Sequence, residues 1–427
     1  MCQYTKYYNG NIPWVKSGEL DKGLITDTEE KISEEAIKNS SAKIFPKGTL
    51  LIALYGATIG KLAFLGADAA TNQAICGIYE NEKINSHFLY NYLFYKKQKL
   101  VNQGIGGAQP NISQTILKNL DLPLPPKPAQ QAIVSKIEEL FSALDKGIEN
   151  LCTAQQQLKT YRQAVLKWAF EGKLTKGLNH DSYDLHDEHD VMLAAEPAAD
   201  CKTKNNQANQ NNHINHGSDN GALPEGWKIQ KLNDIGTWKG GGTPSKANKT
   251  FWNNGTILWV SPKDMKAKVI YDTIDKITSV AIENSSTKLV SKGSILFVVR
   301  SGILRRTLPV AITASDVTVN QDIQAFTPKN ILPDYVYWYV QAKNEDIRRE
   351  CSKDGTTVES IESSLLKNYP IPVCSLNEQT QIVQQIESRL SISDKMEESI
   401  TQSLQQAEAL RQSILKRAFE GRLIGIK

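Results

Sequence analysis

The sequence predicts a mixed α/β protein. Two α/β domains are joined by two long helices packed as an antiparallel coiled coil, with a pseudo-twofold internal repeat. Three observations predict it. The stretch from Gln130 to Leu174 returns from Gln379 to Leu423 without a gap, with about 20 positions identical. Weaker repeats precede each copy: IPWVKSG at Ile12 against ILWVSPK at Ile257, AIKNSSAKIFPKGTLL at Ala36 against AIENSSTKLVSKGSIL at Ala281, and LKNLDLPLP at Leu117 against LKNYPIPVC at Leu366. Finally, 427 residues suffice for two domains, each burying its own core. A duplicated unit that keeps a long helix implies a pseudo-twofold molecule.

Residues 1–122 form the first globular segment. Its apolar runs, TLLIALYG at Thr49 and KLAFLG at Lys61, are short and separated by glycine, the pattern of strands joined by turns. HFLYNYLFYKKQKLV, from His87, is apolar at helical spacing. The proline-rich joint PLPPKPAQQ at Pro123 closes the domain and opens the first long helix, within residues 123–175. There Val134, Phe141, Ile148, Gln155, Arg162 and Ala169 recur at heptad spacing, as do Ile137, Leu144, Leu151, Leu158 and Val165. That is a coiled-coil seam. The second helix, within 370–427, repeats it with Val383, Leu390, Leu404 and Ala418, and with Ile386, Ile400, Ala407 and Ile414. Gln155, Arg162, Ser393, Glu397 and Arg411 interrupt the seams; such polar positions cost stability and fix register. Each rod should run roughly 65 Å and stop at the glycine of AFEG, Gly172 or Gly421.

Residues 176–222 are acidic, then Asn-rich, and hold five of the six histidines. This composition cannot bury a core and predicts a flexible tether; the HDEHD run at His186 reads as solvated linker rather than a metal site. Residues 223–369 form the second globular segment, with a strand and turn in SILFVVRSG at Ser294 and a helix in DYVYWYVQAK at Asp334.

The net charge of +4 excludes a polybasic binder and permits nucleic-acid contact only through local patches. Six cysteines without CxxC spacing read as free thiols. The sequence has neither an 18-residue apolar stretch nor an apolar signal core, so a cytoplasmic protein is expected. Enzyme motifs are missing. GATIGKL at Gly56 is one residue short of a phosphate-binding loop and lacks the hydroxyl after Lys61. KGGGTPS at Lys239 is a Gly-rich loop without a βαβ context. No catalytic residue and no metal site is expected.

The opening LPEGW (Leu223 to Trp227) followed by GGGTPS (Gly240 to Ser245), the paired AFEG(K/R)L endings, the NSS…KG core and the LKNLDLPLP and LKNYPIPV joints resemble the specificity subunit of type I restriction–modification systems. The resemblance covers nearly all of the chain outside residues 176–222. It implies that residues 1–122 and 223–369 are target-recognition domains, each reading one half of a bipartite double-stranded DNA site. It also implies that the helices act as spacer and dock methyltransferase subunits, two of them, and restriction subunits. S-adenosylmethionine, ATP and Mg2+ would be used by those partners, with no cofactor in this chain.

Reading base edges requires Arg, Lys, Asn or Gln on turns, with hydroxyls and lysines on phosphate. The candidate DNA-binding residues are Tyr55, Lys61, Gln109, Asn111 and Ser113 in the first domain, and Lys239, Thr243, Ser245, Arg300, Arg305 and Arg306 in the second. Asn72–Gln73 and Asn320–Gln321 occur in both and read as shared scaffold. The first domain begins at MCQYTKYYNGNIPW without a counterpart of LPEGW…GGGTPS, which predicts an N-terminally truncated reader. A coiled-coil scaffold, or an inactive truncated remnant of a specificity subunit, is the alternative reading.

Overall fold

A computed structural model describes residues 7–103, 111–175, 223–353 and 358–424. The chain divides into two compact units that ignore chain order: Met1–Leu151 with Thr401–Lys427, and Cys152–Ile400. Each long helix therefore gives one half to each unit.

The first unit holds β1 (Tyr8–Val15), β2 (Leu24–Ile25), β3 (Glu30–Ile32), β4 (Ile44–Phe45), β5 (Leu50–Ala53), β6 (Leu62–Leu65), β7 (Ala69–Thr71) and β8 (Ile75–Ile78). They form two four-stranded sheets in the orders β3-β1-β7-β4 and β2-β6-β5-β8. The pairs β1–β7 and β2–β6 are parallel, the others antiparallel. β5 is buried along its whole length, so its sequence is a continuous apolar run rather than an alternating one. Helices α1 (Glu34–Lys38), α2 (Ser86–Asn102) and α3 (Gln114–Lys118) lead to the long α4 (Lys127–Phe170).

The second unit repeats this plan with additions. Its strands are β9 (Lys228–Lys231), β10 (Gly236–Gly240), β11 (Ile257–Val260), β12 (Val269–Ile270), β13 (Asp275–Ile277), β14 (Leu289–Val290), β15 (Ile295–Val298), β16 (Val310–Thr313), β17 (Val317–Val319), β18 (Ile323–Pro328) and β19 (Pro370–Val373). The orders are β13-β11-β17-β14, β10-β18-β15-β16-β12, and a separate β19-β9 pair. Helices α5 (Ser279–Glu283), α6 (Pro333–Ala342), α7 (Asn344–Glu350) and α8 (Ser363–Lys367) precede the long α9 (Leu376–Phe419). The expected strands at Thr49, Lys61 and Ser294 and the helices at His87 and Asp334 are all present.

Both long helices are 44 residues and end alike. Gly172 and Gly421 take φ of 69° and 73°, and Lys173 N–H and Arg422 N–H donate back to Trp168 and Arg417 carbonyls at 2.9 and 2.8 Å. These are glycine stops of the expected kind. Helix pairing is antiparallel within each unit. In the first, Ile133, Val134 and Ile137 of early α4 share a core with Ile414, Leu415 and Ala418 of late α9. In the second, Val165, Ala169 and Phe170 of late α4 share one with Ile382 and Ile386 of early α9.

The polar seam residues find one another. Arg162 donates to Ser393 Oγ at 2.9 Å and to Glu397 at 2.8 Å, and pairs with Asp394 at 2.6 Å. In the other unit Arg411, which aligns with Arg162, pairs with Asp145, which aligns with Asp394.

Two glutamines seat the globular parts on the helices. Gln130 and Gln379 are aligned and fully buried. Gln130 accepts from Asn85 N–H at 2.7 Å and donates to Pro125 O at 2.8 Å. Gln379 accepts from Leu332 N–H at 2.9 Å and donates to Cys374 O at 2.8 Å. Asn85 and Leu332 are the N-caps of α2 and α6, so each glutamine joins a helix entry to the proline-rich joint. The AFEG phenylalanines add an aromatic lock. Phe419 lies 5.2, 5.0 and 5.8 Å from Phe88, Tyr92 and Tyr95, and Phe170 lies 5.2 and 5.0 Å from Tyr335 and Tyr339.

Candidate nucleic-acid interface

In the second unit a loop and two turns converge. The Gly-rich loop is pressed onto its sheet: a Cβ on Gly241 would meet Asn320 O at 1.8 Å, and one on Gly242 would meet Ser286 Oγ at 2.7 Å. Gly242 O accepts from Trp259 Nε1 at 3.0 Å and Thr287 Oγ1 at 3.1 Å. That seating brings the exposed Thr243 into a hydrogen bond with Gln321. Asn320 is buried and its side chain accepts from Asp322 N–H at 3.1 Å, closing the turn that carries Gln321. Asp322 in turn receives Arg300 Nε and Nη2, both at 2.7 Å. Thr243, Gln321, Asp322 and Arg300 thus form one continuous polar surface.

The other candidates border it. Lys239, on β10, donates to Leu289 O at 3.0 Å. Ser245 is exposed, and its carbonyl accepts from Trp252 Nε1 at 3.1 Å. Arg305 pairs with Glu359 at 3.1 Å, and Arg306 is exposed at the end of the same turn. Arg348 on α7, which is not among the candidates the sequence offers, holds that turn. Its guanidinium donates to the carbonyls of Leu304, Arg306 and Arg305 at 2.8, 2.6 and 2.9 Å. No local signal marks it, because a clamp on backbone carbonyls demands nothing of the residues it clamps.

The first unit builds the same turn from other residues. Tyr55 opens the turn after β5 and bridges to Asn111, as Arg300 bridges to Ser360. Asn72 accepts from Ala74 N–H at 3.2 Å, the counterpart of the Asn320 turn, and leaves Gln73 exposed. Ser113 caps α3, accepting from Ile116 N–H at 3.2 Å. Lys61 stands at the far end of the turn in an ion pair with Asp21. Tyr55 and Asn111 are brought together; Lys61 is not part of that pair, and Gln109 lies outside the described residues.

Asn72 and Asn320 occupy scaffold positions, while Gln73 and Gln321 lie at the surface. Gln321, read as scaffold from its recurrence, belongs to the polar cluster. Recurrence marked the turn correctly and said nothing of the residue beside it.

Among the described residues no group of three or more His, Cys, Asp or Glu is placed to hold a metal ion, and HDEHD lies outside them. No described helix is long and apolar enough to cross a membrane. Cys76, Cys351 and Cys374 are free, whereas Cys152, expected to be free as well, is disulfide-bonded. Burial pushes the Cys351 thiol up to about 11 and the Cys374 thiol up to about 12, so neither is a nucleophile near neutral pH.

Two α/β units, each completed by halves of two long helices and each presenting a differently furnished polar turn, define a duplicated architecture. The chain matches the type I restriction modification DNA specificity domain over residues 3–153 and 224–406, and it belongs to that family. It is 43% identical over 187 residues to the EcoR124I/EcoR124II specificity subunit of Escherichia coli, covering 44% of this chain and 45% of that one. The match therefore spans less than half of that relative's length. The EcoBI specificity subunit of Escherichia coli is 25% identical over 437 residues, 98% of this chain and 77% of that subunit. The fold is shared with a chain solved in work on complex assembly and conformational transition of the type I R-M system. There the TM-score is 0.70 at 18% identity, covering 96% of this chain and 92% of that one.

Proposed function

We propose that this chain is the DNA specificity subunit of a type I restriction–modification complex. Each unit reads one half of a bipartite double-stranded DNA site, and the long helices set the spacing between the halves. The same helices dock methyltransferase subunits, two of them, and restriction subunits. Catalysis belongs to those partners, which use S-adenosylmethionine, ATP and Mg2+; the protein works in the cytoplasm.

One observation carries this reading. Equivalent positions on the same turn differ between the units, Tyr55 with Asn111 in one and Arg300 with Ser360 in the other. A scaffold has no use for divergent turns on a shared frame, whereas two readers of different sequences require them.

The test is to map N6-methyladenine in cells expressing this chain with its modification subunit. A single bipartite methylated motif is expected, along with sequence-selective band shifts that strengthen when the modification subunit is added. Methylation indifferent to the presence of this chain would overturn the reading.

A further inference from the structure

One carboxylate in each unit makes the same pair of backbone contacts. In the second unit Asp264 accepts from Ser261 N–H and Ser261 Oγ, both at 2.8 Å, through one oxygen, and from Ile274 N–H at 2.9 Å through the other. In the first unit the aligned Glu19, 5% exposed, accepts from Lys16 N–H at 2.9 Å and from Glu29 N–H at 3.1 Å. Lys16 aligns with Ser261, and Glu29 with Ile274. Each acid therefore closes the turn in which it stands and ties that turn to the returning chain. Such charge-assisted bonds are about twice as strong as neutral ones. The turn is fixed, whatever its other side chains are.

Sheet topology puts this turn beside the polar cluster. β11 and β17 are parallel, with Val260 opposite Val319, so their carboxyl ends emerge side by side. β17 leads into the Asn320–Asp322 turn, and Asn320 N–H donates to Val260 O at 2.9 Å. β11 leads into Ser261–Lys266. The Gly-rich loop is held at the same end, since Gly242 N–H donates to Val319 O at 2.9 Å. The turns differ in charge, however. Lys263 and Lys266 are exposed on the Asp264 turn, whereas the aligned positions in the first unit are Gly18 and Asp21, and Asp21 pairs with Lys61. The neighbouring lysines of the second unit are spent on carboxylates, Lys268 on Asp334 at 2.6 Å and Lys276 on Asp272 at 2.9 Å. An ammonium is a point charge on a flexible stem, which suits a phosphate better than a base edge.

We propose that the Ser261–Lys266 turn grips the DNA backbone through Lys263 and Lys266, and that Asp264 positions it. The equivalent turn of the first unit, held by Glu19, makes no such grip. This rests on the reading of each unit as a DNA reader, and adds that the two readers hold phosphate unequally.

The test measures the salt dependence of DNA binding by the full chain with its modification subunit, on a duplex carrying the methylated motif and on an unrelated duplex. Lys263→Ala and Lys266→Ala should each flatten the slope of log affinity against log salt by about 0.9 on both duplexes, with the motif unchanged. Asp264→Ala should flatten it by as much as the double lysine variant, and Asp21→Ala in the first unit should not flatten it. The lysine side chains hold none of the turn's hydrogen bonds, so their result stands even if Asp264→Ala fails to fold. Lysine variants with the wild-type slope overturn the proposal. So does a motif relaxed at a base pair, which would make either lysine a base reader. An Asp264→Ala chain that unfolds at a lower temperature yet keeps the slope overturns the positioning role, and flattening by Asp21→Ala overturns the asymmetry. A wild-type complex that binds neither duplex overturns the functional reading itself, and this proposal with it.

Discussion

Arg348 and Arg306 illustrate two ways an arginine serves a surface. Arg348 spends its donors on three carbonyls of the turn carrying Arg305 and Arg306, so it orders a backbone rather than a ligand. Arg348→Ala should lower affinity for the site read by the second unit by roughly fivefold to thirtyfold, the loss of about 1–2 kcal/mol of ordering. Arg348→Lys should restore little, because one ammonium cannot span three carbonyls. Band shifts on matched and mismatched sites measure both. Arg300 and Arg306 should separate by a different readout. Arg300 is held by Asp322 and is pre-aimed, which suits a base edge. Arg300→Ala is expected to relax the methylated motif at one position, worth about 1–3 kcal/mol. Exposed Arg306 suits phosphate; Arg306→Ala should weaken all sequences alike and reduce the salt slope of binding by about 0.9. These side chains were legible as candidates because turns advertise their own donors. Arg348 was not, because its partners are backbone atoms on a turn distant in sequence.

The long helices were legible because a duplicated heptad pattern survives divergence. Their partners were only half legible. Arg162 and Arg411 appeared in the sequence as interruptions of a seam, and became intelligible once each met an aspartate that is the other's aligned counterpart. Gln130 and Gln379 open the two copies of the repeat, and nothing in their sequence pattern announces full burial. Truncating Gln379→Ala strands the Leu332 N–H and the Cys374 carbonyl inside the unit. A destabilisation of about 2–3 kcal/mol is expected, read as a lower denaturant midpoint with an unchanged slope. Gln130→Ala should act in the same way on the first unit. Arg162→Ala should cost about 1–3 kcal/mol, because it leaves the Ser393 hydroxyl, 1% exposed, without its donor.

For the molecule as a whole, the helices' length is the testable quantity. Deleting one heptad from each long helix at aligned positions, thereby preserving the seam, removes about 10 Å of rise, roughly three base pairs. The methylated motif should keep both half-sites and shorten its spacer by about that amount. An unchanged spacer would refute the proposed role of the helices as a ruler. The sequence disclosed the repeat, but not that the compact units cut each helix in two. The chain order suggested domains followed by rods, whereas packing assigns Thr401–Lys427 to the unit that begins the chain. Periodicity reports which face of a helix is apolar; it carries no address for the partner that covers it.

That assignment bears on how the protein is made. The first unit's core needs Ile414, Leu415 and Ala418 beside Ile133, Val134 and Ile137. Those late residues emerge from the ribosome only after the entire second unit has been translated. At about 5–20 residues per second, the nascent first domain waits on the order of 10–50 s with its helix seam bare. The contact between α4 and α9 in the first unit therefore forms only after the second unit has been translated.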